Sequence, residues 1–241
     1  MMCFRATKQQ TMRYFLALFL SLIGLNTTLS AQTQLVVSNS SQAETTTETR
    51  FHYLFENDKF TTPWIEIEFG AKGKGEFRFR KKEDGQLREP IINKLEVSSA
   101  VIVQINALLA ELNFLDSNEN YQHKKDFSHL GTVTIEIARD GKQRKVTFNY
   151  TENSALNKIA NLFRNLATQE NRIFEIEAVR QNDPISTPAQ LRYLDNELKS
   201  KNIADPERFV SLLQDIKTDE SIPLIARNHA ERLLKEIKKN K

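Results

Sequence analysis

The segment Thr132–Tyr150, TVTIEIARDGKQRKVTFNY, decides the fold of this chain of 241 residues. Apolar and polar side chains alternate on both sides of Asp140-Gly141, a dipeptide that favours a type I′ turn because both of its positions need a positive φ. The short turn fixes the pairing and places Val133 opposite Phe148. The same register predicts three further cross-strand pairs, which are Ile135 with Val146, Thr134 with Thr147 and Glu136 with Lys145. The segment therefore predicts an antiparallel hairpin with one apolar face.

A second hairpin is predicted upstream, where Ile65–Phe69 and Phe77–Arg80 alternate in the same way. We take the glycine-rich residues 70–75 as the whole of the connecting loop. The resulting register pairs Phe69 with Phe77, Ile67 with Phe79, Glu68 with Arg78 and Glu66 with Arg80. Alternation within Phe51–Phe55 indicates one earlier strand.

Apolar residues at helical spacing predict two helices that pack on this sheet. The first has Ser98 or Ser99 as its N-cap, and its apolar positions are Val101, Ile105, Leu108, Leu109 and Leu112. The second begins at about Ser154 and can continue as far as Arg180. Beyond Asp183-Pro184 the pattern is purely helical, with starts marked by capping residues close to a proline. The predicted helices there lie near 188–200, 206–217 and 222–239.

Taken together, these elements predict an α+β fold, with an antiparallel sheet built from hairpins and packed by two helices. A C-terminal three-helix appendage follows the sheet. The predicted organisation is a signal peptide at 1–31, a disordered linker at 32–50, the α+β domain at 51–182 and the helical appendage at 183–241.

The N-terminal residues have the layout of a secretory signal peptide. A basic region precedes the apolar run Tyr14–Leu25, and a short polar region ends in small residues, which predicts cleavage near Ala31. The alternative is an uncleaved anchor in the inner membrane, but the run falls short of the roughly 20 apolar residues that a spanning helix needs. We therefore expect a periplasmic or secreted protein without a stable membrane span after cleavage.

The charge of the chain is concentrated in that N-terminal segment. The whole sequence has 34 basic and 31 acidic residues, and the excess equals Arg5, Lys8 and Arg13, because residues 1–31 contain no acidic residue. The remainder is electrically balanced, which argues against nucleic acid as a partner. Cleavage would also remove Cys3 and with it any disulfide or thiol chemistry.

One cluster has residue types that bind metal ions. His123, Asp126 and His129 could hold a divalent cation with an open position, as catalytic zinc sites do, if their spacing of three lay on a helix. The alternative is a polar loop leading into the strand that starts at Thr132. The cluster thus provides a second hypothesis for the function, a metal-dependent hydrolase.

The densest basic run of the sequence surrounds the upstream hairpin and contains Lys72, Lys74, Arg78, Arg80, Lys81 and Lys82. Its two arginines are expected to pair with Glu66 and Glu68. The four lysines, Lys72, Lys74, Lys81 and Lys82, are the residues that would contact a polyanion such as a cell-wall glycan. We identify no residues that imply a cofactor.

Residues 51–170 resemble uncharacterised bacterial exported proteins, and in part a domain of unknown function. The shared pattern is a helix that ends in Leu112-Asn113-Phe114, a polar segment with Tyr121 and Asp126, and then the motifs 132–135, Gly141-Lys142 and Lys145-Val146. This resemblance implies no activity. Two well-specified hairpins and a capped helical tail, without a convergent set of catalytic residues, favour a non-enzymatic binding or interaction module whose partner is an envelope protein or glycan.

Overall fold

The computed structural model describes residues 48–239. The predicted signal peptide and most of the predicted linker lie outside these residues. The strands are β1 (Arg50–Glu56), β2 (Trp64–Gly70), β3 (Lys74–Arg80), β4 (Lys82–Glu83), β5 (Gln86–Leu87), β6 (Ile91–Glu96), β7 (Thr132–Arg139) and β8 (Lys142–Phe148). The helices are α1 (Ser99–Glu111), α2 (Ser154–Asn182), α3 (Thr187–Lys199), α4 (Val210–Thr218) and α5 (Leu224–Lys239).

Six of the strands form one antiparallel sheet in the order β6-β3-β2-β1-β7-β8, while β4 and β5 form a separate short hairpin. The predicted α+β class is confirmed. Strand β1 lies in the interior of the sheet and pairs with β2 on one side and with β7 on the other.

The β7–β8 hairpin has the predicted register at every pair, including Val133 with Phe148. Asp140 and Gly141 have φ values of 51° and 75°, as a type I′ turn requires. Because the loop has only two residues, it permits a single register between β7 and β8.

The predicted register of the β2–β3 hairpin is wrong by two residues. The loop consists of residues 71–73, and Gly73, at a φ of 76°, donates a hydrogen bond from its backbone N–H to the Gly70 carbonyl at 2.9 Å. Strand β3 therefore starts at Lys74. The pairs that form are Phe69 with Gly75, Ile67 with Phe77, Glu66 with Arg78 and Trp64 with Arg80.

One face of the sheet is buried under α1 and α2. Phe163 of α2 stacks on Tyr53 with ring centroids 5.1 Å apart, and Phe174 of the same helix meets Phe79 edge to face at 5.3 Å. Ile105 of α1 is fully buried in the same cluster. The alternation read from the sequence thus places its apolar residues in this core.

A second core lies among the C-terminal helices. Leu194 of α3, Leu213 of α4 and Leu233 of α5 are fully buried there, together with Ile176 from the last part of α2. The predicted helices α3, α4 and α5 are therefore present, but the bundle they form also includes α2. A 3-10 turn at Pro206–Phe209 precedes α4.

No helix within residues 48–239 is long and apolar enough to cross a membrane. The apolar run at 14–25 lies outside the described residues.

Candidate functional site

The face of the sheet opposite α1 and α2 carries no packed helix in the described part of the chain. We call it the open face, and it consists of the outward-pointing side chains of β1, β2, β3, β6, β7 and β8. Its members include His52, Glu66, Arg78, Ile92, Glu136 and Lys145. None of its side chains belongs to either apolar core.

Ion pairs join neighbouring strands in the middle of the open face. Glu66 accepts a hydrogen bond from Arg78 Nη1 at 2.7 Å through one oxygen and from His52 Nε2 at 2.9 Å through the other. Arg50 bonds Glu136 at 2.5 Å. Burial alone would raise the pKa of Glu66, but the hydrogen bonds from Arg78 and His52 outweigh it, so the pKa lies below its ordinary value. The carboxylate is therefore held ionised.

One corner of the open face differs from this paired centre. We call it the Trp64 corner, and it consists of Trp64, Arg78, Arg80 and Ile92. The Arg80 guanidinium lies 5.6 Å from the centroid of the Trp64 ring, and these two residues are direct cross-strand partners. Ile92 lies opposite Arg78, and 58% of its surface is exposed.

Arg80 has no carboxylate partner within residues 48–239. Its Nε is buried and makes no hydrogen bond to any described residue. By contrast, its neighbour Arg78 bonds both Glu66 and Glu76. The Trp64 corner thus combines an aromatic ring, an exposed isoleucine and a guanidinium that lacks an anionic partner.

A groove of about 590 Å³ lies at the other end of the same hairpin. Lys74 lines it together with Arg50, but Glu48, Glu68 and Glu76 line it as well. The groove therefore presents charges of both signs, which is not the environment that a polyanion favours.

The four lysines predicted to bind a polyanion do not form one surface. Lys72 and Lys74 lie at the β2–β3 turn, whereas Lys81 and Lys82 follow the far end of β3, roughly 20 Å away by strand geometry. Lys81 forms an ion pair with Glu175 of α2. The structure thus separates these lysines into two pairs, and one of the four is already engaged.

His123, Asp126 and His129 lie in an irregular segment, in which only residues 128–130 form a helical turn. The backbone N–H of Lys125 donates to His123 Nδ1 at 2.9 Å, and Nε2 of the same ring lies 3.1 Å from a Glu152 oxygen. Within the described range, no group of three His, Cys, Asp or Glu side chains is arranged to hold a metal ion.

This segment is instead fastened to the end of β8. Asp126 accepts a hydrogen bond from the Asn149 side chain, and Phe127 packs on Tyr150 with ring centroids 4.9 Å apart. His123 also contacts Tyr150, at 5.4 Å. These contacts attach His123, Asp126 and Phe127 to the residues that follow β8.

Sequence reasoning missed the Trp64 corner because it placed Arg80 opposite Glu66. A shorter predicted loop would have revealed the corner, because a three-residue connection that ends in Gly73 places Trp64 opposite Arg80. The open face and its Trp64 corner are the candidate site.

The chain matches no protein-family model and no curated protein.

Proposed function

We propose that the protein is an exported, non-enzymatic binding module that recognises an envelope protein through its open face. The observation that carries this proposal is the Trp64 corner, where an unpaired Arg80 stacks on Trp64 beside the exposed Ile92. Tryptophan and arginine are the side chains most enriched among the residues that dominate binding energy at protein interfaces.

The charges of the open face favour binding over acid–base chemistry. The ionised Glu66 is held between His52 and Arg78, whereas a general acid must keep its proton at working pH. Charged side chains that are already held in position by ion pairs instead select a partner by electrostatic complementarity. Because the Arg80 guanidinium has no carboxylate partner within residues 48–239, we expect it to bind a carboxylate of that partner.

The size of the surface fits a modest interface. Six strands spaced about 4.8 Å apart, each about 20 Å long, give a face of roughly 500 Å². Stable complexes bury about 800 Å² per partner, so this face suits a weak or transient contact.

The proposed location follows from the N-terminal sequence. A basic region, an apolar run and a cleavage position near Ala31 support export to the periplasm or beyond. Protein isolated from the producing cell should begin at or near Gln32 when its N-terminus is sequenced. An intact N-terminus at Met1 would support the membrane-anchored alternative.

Capture from envelope extract tests the binding function. The immobilised protein should retain a defined envelope protein, and Arg80→Glu should abolish that retention because it reverses the charge that stacks on Trp64 and has no carboxylate partner within residues 48–239. Arg192→Glu is the matched control, since Arg192 is an exposed arginine on α3. Equal retention by the Arg80→Glu variant, or no retained protein at all, would contradict the proposal.

A further inference from the structure

A second cavity lies on the other side of the sheet, between strands β1 and β2 and helix α2. We call it the Tyr53 groove, and its volume is about 520 Å³, which is within the range of small-molecule sites. Phe55, Phe60 and Ile65 give it apolar walls, and the buried Tyr53 lies at its base. Arg164 and Thr168 of α2 line the opposite side.

Arg164 gives this groove its charge. The guanidinium bonds the Asn161 side chain at 2.5 Å, and within residues 48–239 it has no carboxylate partner. Among the described residues that line the groove, Arg164 is the only charged one. A guanidinium beside apolar walls is complementary to a ligand with one anionic group and an apolar body.

Tyr53 adds a polar group at the base. Burial raises the pKa of Tyr53 to about 12, although the nearby Arg164 acts to lower it. The phenol therefore keeps its proton at neutral pH and can donate a hydrogen bond to a ligand oxygen. Its ring is held in place by stacking on Phe163.

We propose that the Tyr53 groove binds a small amphipathic anion, an alkyl or aryl carboxylate or sulfonate. The apolar body lies against Phe55 and Ile65, and the anionic group meets the Arg164 guanidinium. The site is separate from the open face, so ligand binding and partner binding can be tested independently.

Two fluorescent probes test this site on the protein purified as the cell processes it. The anionic probe is 8-anilinonaphthalene-1-sulfonate, and N-phenyl-1-naphthylamine is its neutral counterpart without the sulfonate. Arg164→Met keeps the apolar stem and removes the charge, so the anionic probe should bind about tenfold more weakly, as expected for one lost charge-assisted contact. Binding of the neutral probe should not change.

A filling variant and a control complete the test. Thr168→Trp should abolish the binding of both probes, while Arg192→Met on α3 should alter neither. Circular dichroism and the thermal midpoint establish that each variant is folded, and decanoate should displace the anionic probe from the unmodified protein. Unchanged affinity of the anionic probe for Arg164→Met would overturn the proposal. Probe binding that survives Thr168→Trp would also overturn it.

Discussion

The pKa values of the Glu66 and Glu170 carboxyl groups are shifted in opposite directions by their surroundings. Glu66 receives hydrogen bonds from Arg78 and His52, and its pKa is lowered although burial acts in the other direction. Glu170 is 5% exposed and receives a side-chain hydrogen bond only from Gln169 among the described residues, so burial raises its pKa. The two residues therefore contribute to stability in opposite directions as the pH changes.

Glu66→Gln should destabilise the protein by about 1 kcal/mol at pH 7, because a charge-assisted bond to a half-buried guanidinium becomes a neutral one. A lowered pKa stabilises the fold above the ordinary pKa, and that stabilisation is lost as the pH falls below about 4.5. Urea unfolding of the variant and the wild type at pH 7 and pH 4 should show the difference shrinking at the lower pH.

The control for that prediction is Glu83→Gln. Glu83 pairs with Arg88, but both side chains are at least half exposed, so this change should cost less than about 0.5 kcal/mol. If both variants lost the same stability, the paired centre of the open face would have no special role in the fold.

Glu170→Gln should behave in the opposite way. Because burial favours the protonated carboxyl group, the wild type is most stable below the ordinary pKa of glutamate and loses stability as the pH rises through the raised pKa. The variant should thus be more stable than the wild type at pH 7, by about 1 kcal/mol, and equal to it near pH 4. Thermal unfolding at the two pH values measures this, and a less stable variant at pH 7 would refute the burial argument.

At the level of elements, the length of the connecting loop determined whether the register of each hairpin could be predicted from the sequence. The two-residue loop at Asp140-Gly141 admits a single pairing, so the β7–β8 register was predicted correctly. The glycine-rich residues 70–75 can form either a long loop or a short one, and alternation alone does not choose between them. Strand β6 was missed because apolar and polar residues do not alternate along Ile91–Glu96, although the exposure of the side chains does: Ile92 lies on the exposed side and Asn93 on the other.

Gly75→Ala tests the corrected register. A Cβ at this position would lie 1.8 Å from the Glu68 carbonyl oxygen, so the two strands would have to separate. We expect a loss of about 2–3 kcal/mol in urea unfolding. In the predicted register Gly75 belonged to the loop, where an added methyl group would be tolerated.

Gly85→Ala is the control for this change. Nothing lies within 4 Å of its Cβ position, and its positive φ adds only a conformational cost in the exposed β4–β5 hairpin. It should therefore reduce stability by less than about 1 kcal/mol. A Gly75→Ala variant as stable as this control would contradict the β2–β3 pairing described above.

At the scale of the whole molecule, α2 joins the sheet to the C-terminal helices. Phe163 belongs to the first core and Ile176 to the second. Gln169, between them, accepts a hydrogen bond from the backbone N–H of Asp205 at 2.8 Å. With one sheet face and α2 committed to packing, the open face is the part of the described sheet left for a protein partner. A register shift of two residues keeps every side chain on its face, so the sequence predicted this polar face, whereas the Trp64 corner could not be predicted until the register was known.

Site-specific photo-crosslinking tests this account most directly. A photoreactive phenylalanine at Ile92 would lie in the Trp64 corner, and the same residue at Val103, which is 65% exposed on α1, serves as the control. In the producing cell, we predict one discrete adduct with an envelope protein from position 92, none from position 103, and loss of the adduct when Arg80→Glu is added. Equal crosslinking from both positions, or an adduct that persists with Arg80→Glu, would contradict the assignment of the open face as the binding surface.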